Sequence, residues 1–113
     1  MNLSLSETNE ITIIKLEGSI LGGPDASALK EAVHGLVEKK VKNFILDLKG
    51  VKNMNSSGLG MLMASHATIR NVGGHLKIAG ASKKIENLFV ITRLSNVFEI
   101  FPTVKKAVDS FSK

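Results

Sequence analysis

Hydrophobic positions along this chain change their period several times, and each change predicts an element. Leu3 and Leu5 alternate with Asn2, Ser4 and Ser6, the period of an edge strand. Glu7-Thr8-Asn9-Glu10 reads as a hairpin turn, and Ile11 to Gly18 as the returning strand, rich in β-branched residues. Gly22-Gly23-Pro24 is the strongest break in the chain. A helix is expected just after it, since Pro24 suits a first turn and Asp25 complements the helix dipole. Leu29, Val33, Leu36 and Val37 then recur at the spacing of one helical face.

Phe44, Ile45, Leu46 and Leu48 are apolar on both faces of a strand and interrupted only by Asp47, the pattern of a central strand with helices on both sides. Lys49 to Asn53 is expected to turn the chain, with Gly50 free to take a positive φ, and Met54 to point back to the core. Leu59, Leu62, Met63, His66, Ala67 and Arg70 form the next helical stripe, which Gly73-Gly74 ends. Leu76, Ile78 and Ala79 predict another short strand. Ala81-Ser82 opens a helix carrying Ile85, Leu88 and Phe89, and Leu94, Val97 and Phe98 fall in a turn and a very short strand. Pro102 starts a last helix with Val104, Ala107, Val108 and Phe111. The order ββαβαβαβα implies an α/β fold with a mixed, mostly parallel sheet, an N-terminal β-hairpin and about four helices.

The junction after the central strand concentrates the chemistry. Asn55, Ser56 and Ser57 are all able to cap the helix that begins there, and the plain alternative to a functional role for Ser56 or Ser57 is service as that cap. A helix start has unpaired N–H groups and the positive end of the dipole, so a phosphate on Ser57 would be electrostatically welcome. Gly58 and Gly60 keep the first turn narrow enough for another protein to approach closely. Met54, Met61 and Met63 read mainly as core filler, with Met61 the one expected to face outward as a partner contact.

Composition narrows the function classes. The 113 residues suffice for one domain with a core, at 43% hydrophobic and 22% charged content. With no cysteine, neither disulfides nor thiolate metal sites can form. No run is long enough to span a membrane, and MNLSLSETNE lacks the basic start and apolar run of a leader, so a cytoplasmic location is expected. The net charge of +5 comes from lysine pairs scattered at element ends, with only Arg70 and Arg93 as arginines and no Trp or Tyr. That pattern suits a solvated surface, or attraction to an acidic protein, better than nucleic-acid binding. A serine nucleophile elbow needs Gly two residues before the serine, where this chain has Asn55 or Met54. His34, His66 and His75 fall in different elements with no acid to orient them, and Gly58-Leu59-Gly60 lacks the fuller nucleotide-binding fingerprint.

The block ILDLKGVKNMNSSGLGMLM, Ile45 to Met63, joins an aliphatic strand ending near an acid to a Val-containing loop and Asn-Ser-Ser-Gly-Leu-Gly. With Leu16-Glu17-Gly18, the run Gly73 to Ile78 and the run Leu94 to Phe101, it resembles the anti-sigma-factor antagonist or STAS domain family across the whole chain. The resemblance implies one STAS-like domain over 1–113, with Ser57 as phosphoacceptor and Ser56 in the preceding serine position. It implies a partner that is both anti-sigma factor and serine kinase, of the histidine-kinase-like ATPase type, bound while Ser57 is unmodified, and a serine phosphatase that resets the switch. The partner surface would draw on Gly22, Gly23, Asn55, Ser56, Ser57, Gly58, Leu59 and Met61. Asp47 would support the site, most simply by accepting loop N–H bonds at the strand end.

Catalysis, a cofactor, direct nucleic-acid contact and membrane insertion are not expected. The alternative is a binding subunit of the same fold in a lipid-transport, transporter-regulation or stress-signalling complex. Two departures from the family pattern bear on partner choice. Asn55 stands where the family has aspartate, removing a carboxylate beside the acceptor hydroxyl. The loop after Gly18 reads Ser-Ile-Leu-Gly-Gly-Pro-Asp, displacing the family's acidic residue toward the helix.

Overall fold

The computed structural model describes residues 1–112; position 113, the last of the expected domain, lies outside the described residues. Strands β1 (Asn2–Thr8) and β2 (Ile11–Ile20) form the hairpin, followed by α1 (Pro24–Glu38), β3 (Asn43–Met54), α2 (Ser56–Asn71) and β4 (His75–Ala79). Then come α3 (Lys83–Ile91), a 3₁₀ turn (Leu94–Asn96), β5 (Glu99–Phe101) and α4 (Val104–Ser110). The hairpin turns through Asn9 and Glu10, at φ 49 and 65, the paired left-handed residues that match the twist of the flanking strands.

The sheet runs β1-β2-β3-β4-β5, with β1 antiparallel to β2 and the remaining pairs parallel. The chain thus advances across the sheet in one direction. Right-handed crossovers then place every connecting helix on the same face. Leu29 and Val33 of α1, Leu62 and Ile69 of α2, and Ile85 and Phe89 of α3 accordingly share one core with Ile14, Leu16, Phe44, Leu46 and Ile78. Helix α4 has no further strand to reach and folds under the other face, where Ala107 meets Ile11, Ile45 and Ala79. The central strand is covered on both sides as its composition predicts. Because the strand order never reverses, the sheet has no topological switch point among the described residues.

Three expectations are corrected. Lys49–Asn53 is not a turn: β3 runs on to Met54, paired with Glu17 to Ile20 of β2 through register shifts after Lys15 and after Gly18. Gly50 is absent from the positive-φ residues, and a Cβ there would lie 2.7 Å from Glu17 Cγ, so its smallness seats the Glu17 stem at the bulge. The buried face of α2 is rotated by about one residue from the predicted stripe: Met61, Ser65 and Ile69 are inside, while Ala67 and Arg70 are exposed. Helix α2 packs against both α1 and the sheet, which widens the arc it must bury. The last helix starts after Thr103, whose hydroxyl accepts from Lys106 N, rather than at Pro102.

Candidate functional site

Strands β2 and β3 end side by side, with Ile20 paired to Met54, and each leads directly into a helix. The site is where these two exits touch. At the β3 exit the cap of α2 is Asn55, not a serine. Its backbone is extended and its side-chain oxygen accepts from Gly58 N at 2.8 Å. Ser56 and Ser57 therefore become the first two helical residues, both exposed. Among the described residues, no hydrogen bond occupies either hydroxyl.

At the β2 exit, Leu21-Gly22-Gly23 crosses in front of the start of α2. Gly22 has φ 89, and a Cβ on it would lie 2.8 Å from Ser57 Cβ, so both conformation and space demand glycine. The Asn55 amide reaches across and donates to Leu21 O at 3.3 Å, while Asn55 N donates to Ile20 O at 3.4 Å. Beside them, Asn53 Nδ2 donates to Ser19 Oγ at 3.4 Å, and Lys84 from the start of α3 donates to Asn53 Oδ1. The edge around Ser57 is thus amide- and lysine-lined.

Not every residue expected at the surface lies there. Gly22 packs against Ser57 and is itself buried, Gly23 is exposed with open space above it, and Asn55, Ser56 and Ser57 are exposed. Gly58, Leu59 and Met61 are buried, Leu59 at 7% and Met61 at 6% exposure, so Met61 does not face outward. A Cβ on Gly58 would run into the Ile20 carbonyl and lie 2.8 Å from Met54 Cγ. Its role is to let α2 start against the protein's own β2. Gly60, unlike Gly58, keeps open space above it. Met61 instead lines a cleft of about 170 Å³ between α1 and α2, with Lys30, Val33, His34, Ser65 and Thr68.

Asp47 accepts from Lys49 N at 3.0 Å, and its oxygen faces Gly80 at the end of β4. The strand from Asp47 to Met54 separates it from Ser57 by on the order of 20 Å. Asp47 and Lys49 both lie inside β3, so the carboxylate accepts a strand N–H rather than a loop N–H at the strand end, and it cannot reach the acceptor. His66 packs edge-on to Phe98 at 5.0 Å between ring centres, with Nδ1 buried and unpartnered. Burial, and then the Arg70 guanidinium, hold its pKa below the ordinary 6.5, so it is a neutral packing residue at pH 7. Among the described residues no group of three or more His, Asp or Glu could hold a metal ion, and no helix is long and apolar enough to cross a membrane. Sequence reasoning passed over the exposed Leu21 side chain and the Ser19-Asn53-Lys84 chain. An apolar residue placed before Gly-Gly was the available signal for the first; nothing local signals the second.

Comparison with known proteins agrees with this architecture. The STAS domain family model matches residues 2–107. The anti-sigma-B factor antagonist of Listeria monocytogenes is 31% identical over 103 residues, covering 88% of this chain and 90% of its own. Among solved structures, an anti-sigma factor antagonist from Mycobacterium paratuberculosis superposes with TM-score 0.85 at 19% identity, over 99% of this chain and 94% of its own. The phosphorylated form of the Bacillus cell-fate determinant SpoIIAA gives 0.76 at 18% identity, over 97% and 99%. The chain belongs to the STAS domain family, that of the anti-sigma factor antagonists.

Proposed function

We propose that this domain is a phosphorylation-gated binding module that, while Ser57 is unmodified, sequesters an anti-sigma factor that is also a serine kinase. The observation that carries the reading is the uncommitted Ser57 hydroxyl. It is exposed on the first turn of α2, and Asn55 rather than a serine serves as the cap. Similarity to the Listeria anti-sigma-B factor antagonist supports the partner class. The contact surface comprises Gly22, Gly23, Asn55, Ser56 and Ser57, held from beneath by Gly58, Leu59 and Met61.

The partner kinase holds ATP. Ser57 Oγ attacks the γ-phosphorus as the bond to the β-phosphate oxygen breaks; ADP departs and the serine proton passes to a base on the kinase. The resulting phosphate adds close to two negative charges beside the α2 N-terminus, whose dipole tolerates it in the free domain. Inside an interface shaped around a hydroxyl the same charge must be desolvated, and the complex is released. A serine phosphatase then hydrolyses the O–P bond, returning serine and inorganic phosphate. The cycle consumes ATP and belongs in the cytoplasm.

Mass spectrometry of the protein purified from its native cells is the test. Phosphate on Ser57 in part of the population is expected. Its absence at every growth stage, with the unmodified protein always partner-bound, would assign the domain to a constitutive assembly instead.

A further inference from the structure

The side chain of Asn55 makes two bonds of opposite sense. Its oxygen accepts from Gly58 N at 2.8 Å and its nitrogen donates to Leu21 O at 3.3 Å. A backbone N–H can only donate and a carbonyl can only accept, so the two partners fix which way the amide points. The first bond caps α2. The second ties that cap to the loop leaving β2, whose other backbone bonds among the described residues belong to the turn into α1, Asp25 N to Gly22 O and both Ala26 N and Ser27 N to Gly23 O. The loop carries two positive-φ glycines, φ 89 at Gly22 and 61 at Gly23, and an apolar side chain, Leu21, left 53% exposed. Two consecutive glycines are entropically costly to order.

We propose that Asn55 is a positioning residue that latches the Leu21–Gly23 loop onto the start of α2, so that loop and Ser57 meet a partner as one pre-ordered surface. An aspartate in the same place can do only half of this. Its carboxylate accepts from Gly58 N and suits the positive end of α2, yet it has no hydrogen for Leu21 O and its oxygens repel that carbonyl. Asparagine is therefore a gain of a bond for this chain as well as a loss of charge. Ordering the loop in advance removes part of the entropy that binding would otherwise have to supply. The proposal rests on the reading of this edge as a binding surface.

The test uses the isolated domain, with no kinase and no phosphate, so its outcome is separable from whether Ser57 is a switch. Backbone ¹⁵N relaxation is measured for the unaltered protein, Asn55→Asp and Asn55→Ala. In the unaltered protein, order parameters at Leu21, Gly22 and Gly23 should stand near the rigid value of about 0.85. In Asn55→Asp they should fall to below about 0.6 while Gly58 to Ile69 stay rigid and the urea midpoint is held. In Asn55→Ala both the loop and the first turn of α2 should loosen. A residue that merely caps the helix would leave the loop unmoved by Asn55→Asp, and that result overturns the proposal. Should either variant fail to fold, the unaltered protein decides. A nuclear Overhauser contact from the Asn55 side-chain amide to Leu21 is required, and its absence rejects the latch.

Discussion

Helices α2 and α3 both begin with a polar residue after a strand, and they spend their hydroxyls differently. At α3, Ser82 is the cap: its Oγ accepts from Ile85 N at 3.3 Å, and the side chain is committed to the helix. At α2 the cap is Asn55, which leaves Ser56 and Ser57 inside the first turn with nothing to hold. The same physical need, satisfying the orphan N–H groups of a helix start, is met by a hydroxyl in one case and an amide in the other. One serine is structural and the other is available for chemistry. A serine near a helix start is thus informative only when its neighbour has taken the capping role.

Substitutions sharpen this contrast, beginning with the largest effect. Gly58→Ala pushes a Cβ into the Ile20 carbonyl and Met54, and should cost about 3 kcal/mol of stability, read as a drop in the urea midpoint. If it is tolerated, the close seating of α2 on β2 is not needed to form the site. Ser82→Ala removes a working cap and should cost about 1 kcal/mol by the same measurement. Ser57→Ala, by contrast, should stay within about 0.5 kcal/mol of the unaltered protein. Equal losses at the two serines would erase the distinction between them.

The smallest effect concerns His66. Its folded pKa lies below 6.5, so beneath that pH the unfolded chain takes up a proton that the folded one resists. The sign is a loss of stability as pH falls from 6.5 toward the folded pKa, with no contribution from this group above that window. Denaturation midpoints measured from about pH 7 down to about pH 5 should therefore fall less steeply in His66→Leu than in the unaltered protein. Parallel profiles would mean that burial against Phe98 does not govern the histidine.

Periodicity carried the element order and the existence of both site-forming junctions, because each helix and strand buries a face that its own residues announce. What it could not carry was decided between distant segments. Lys49 to Asn53 reads locally as a turn, but pairing of Gly50, Val51 and Asn53 with Glu17, Gly18 and Ser19 keeps the segment in β3. Three adjacent residues could each have capped α2. The choice fell to Asn55, whose amide alone also has a partner across the gap, at Leu21. Met61 looked outward along a narrow stripe and is buried because α1 lies against the side of α2.

The central claim is that the Ser57 hydroxyl is a switch in a binding surface. Titration calorimetry of the unaltered protein, Ser57→Ala and stoichiometrically phosphorylated protein against the anti-sigma factor kinase tests it directly. The unaltered protein and Ser57→Ala should bind alike. Phosphorylation should weaken binding by about 2 kcal/mol or more, roughly thirtyfold in Kd, while circular dichroism shows the fold retained. Equal affinity of the phosphorylated and unmodified forms would contradict the account and leave a constitutive binding domain in its place.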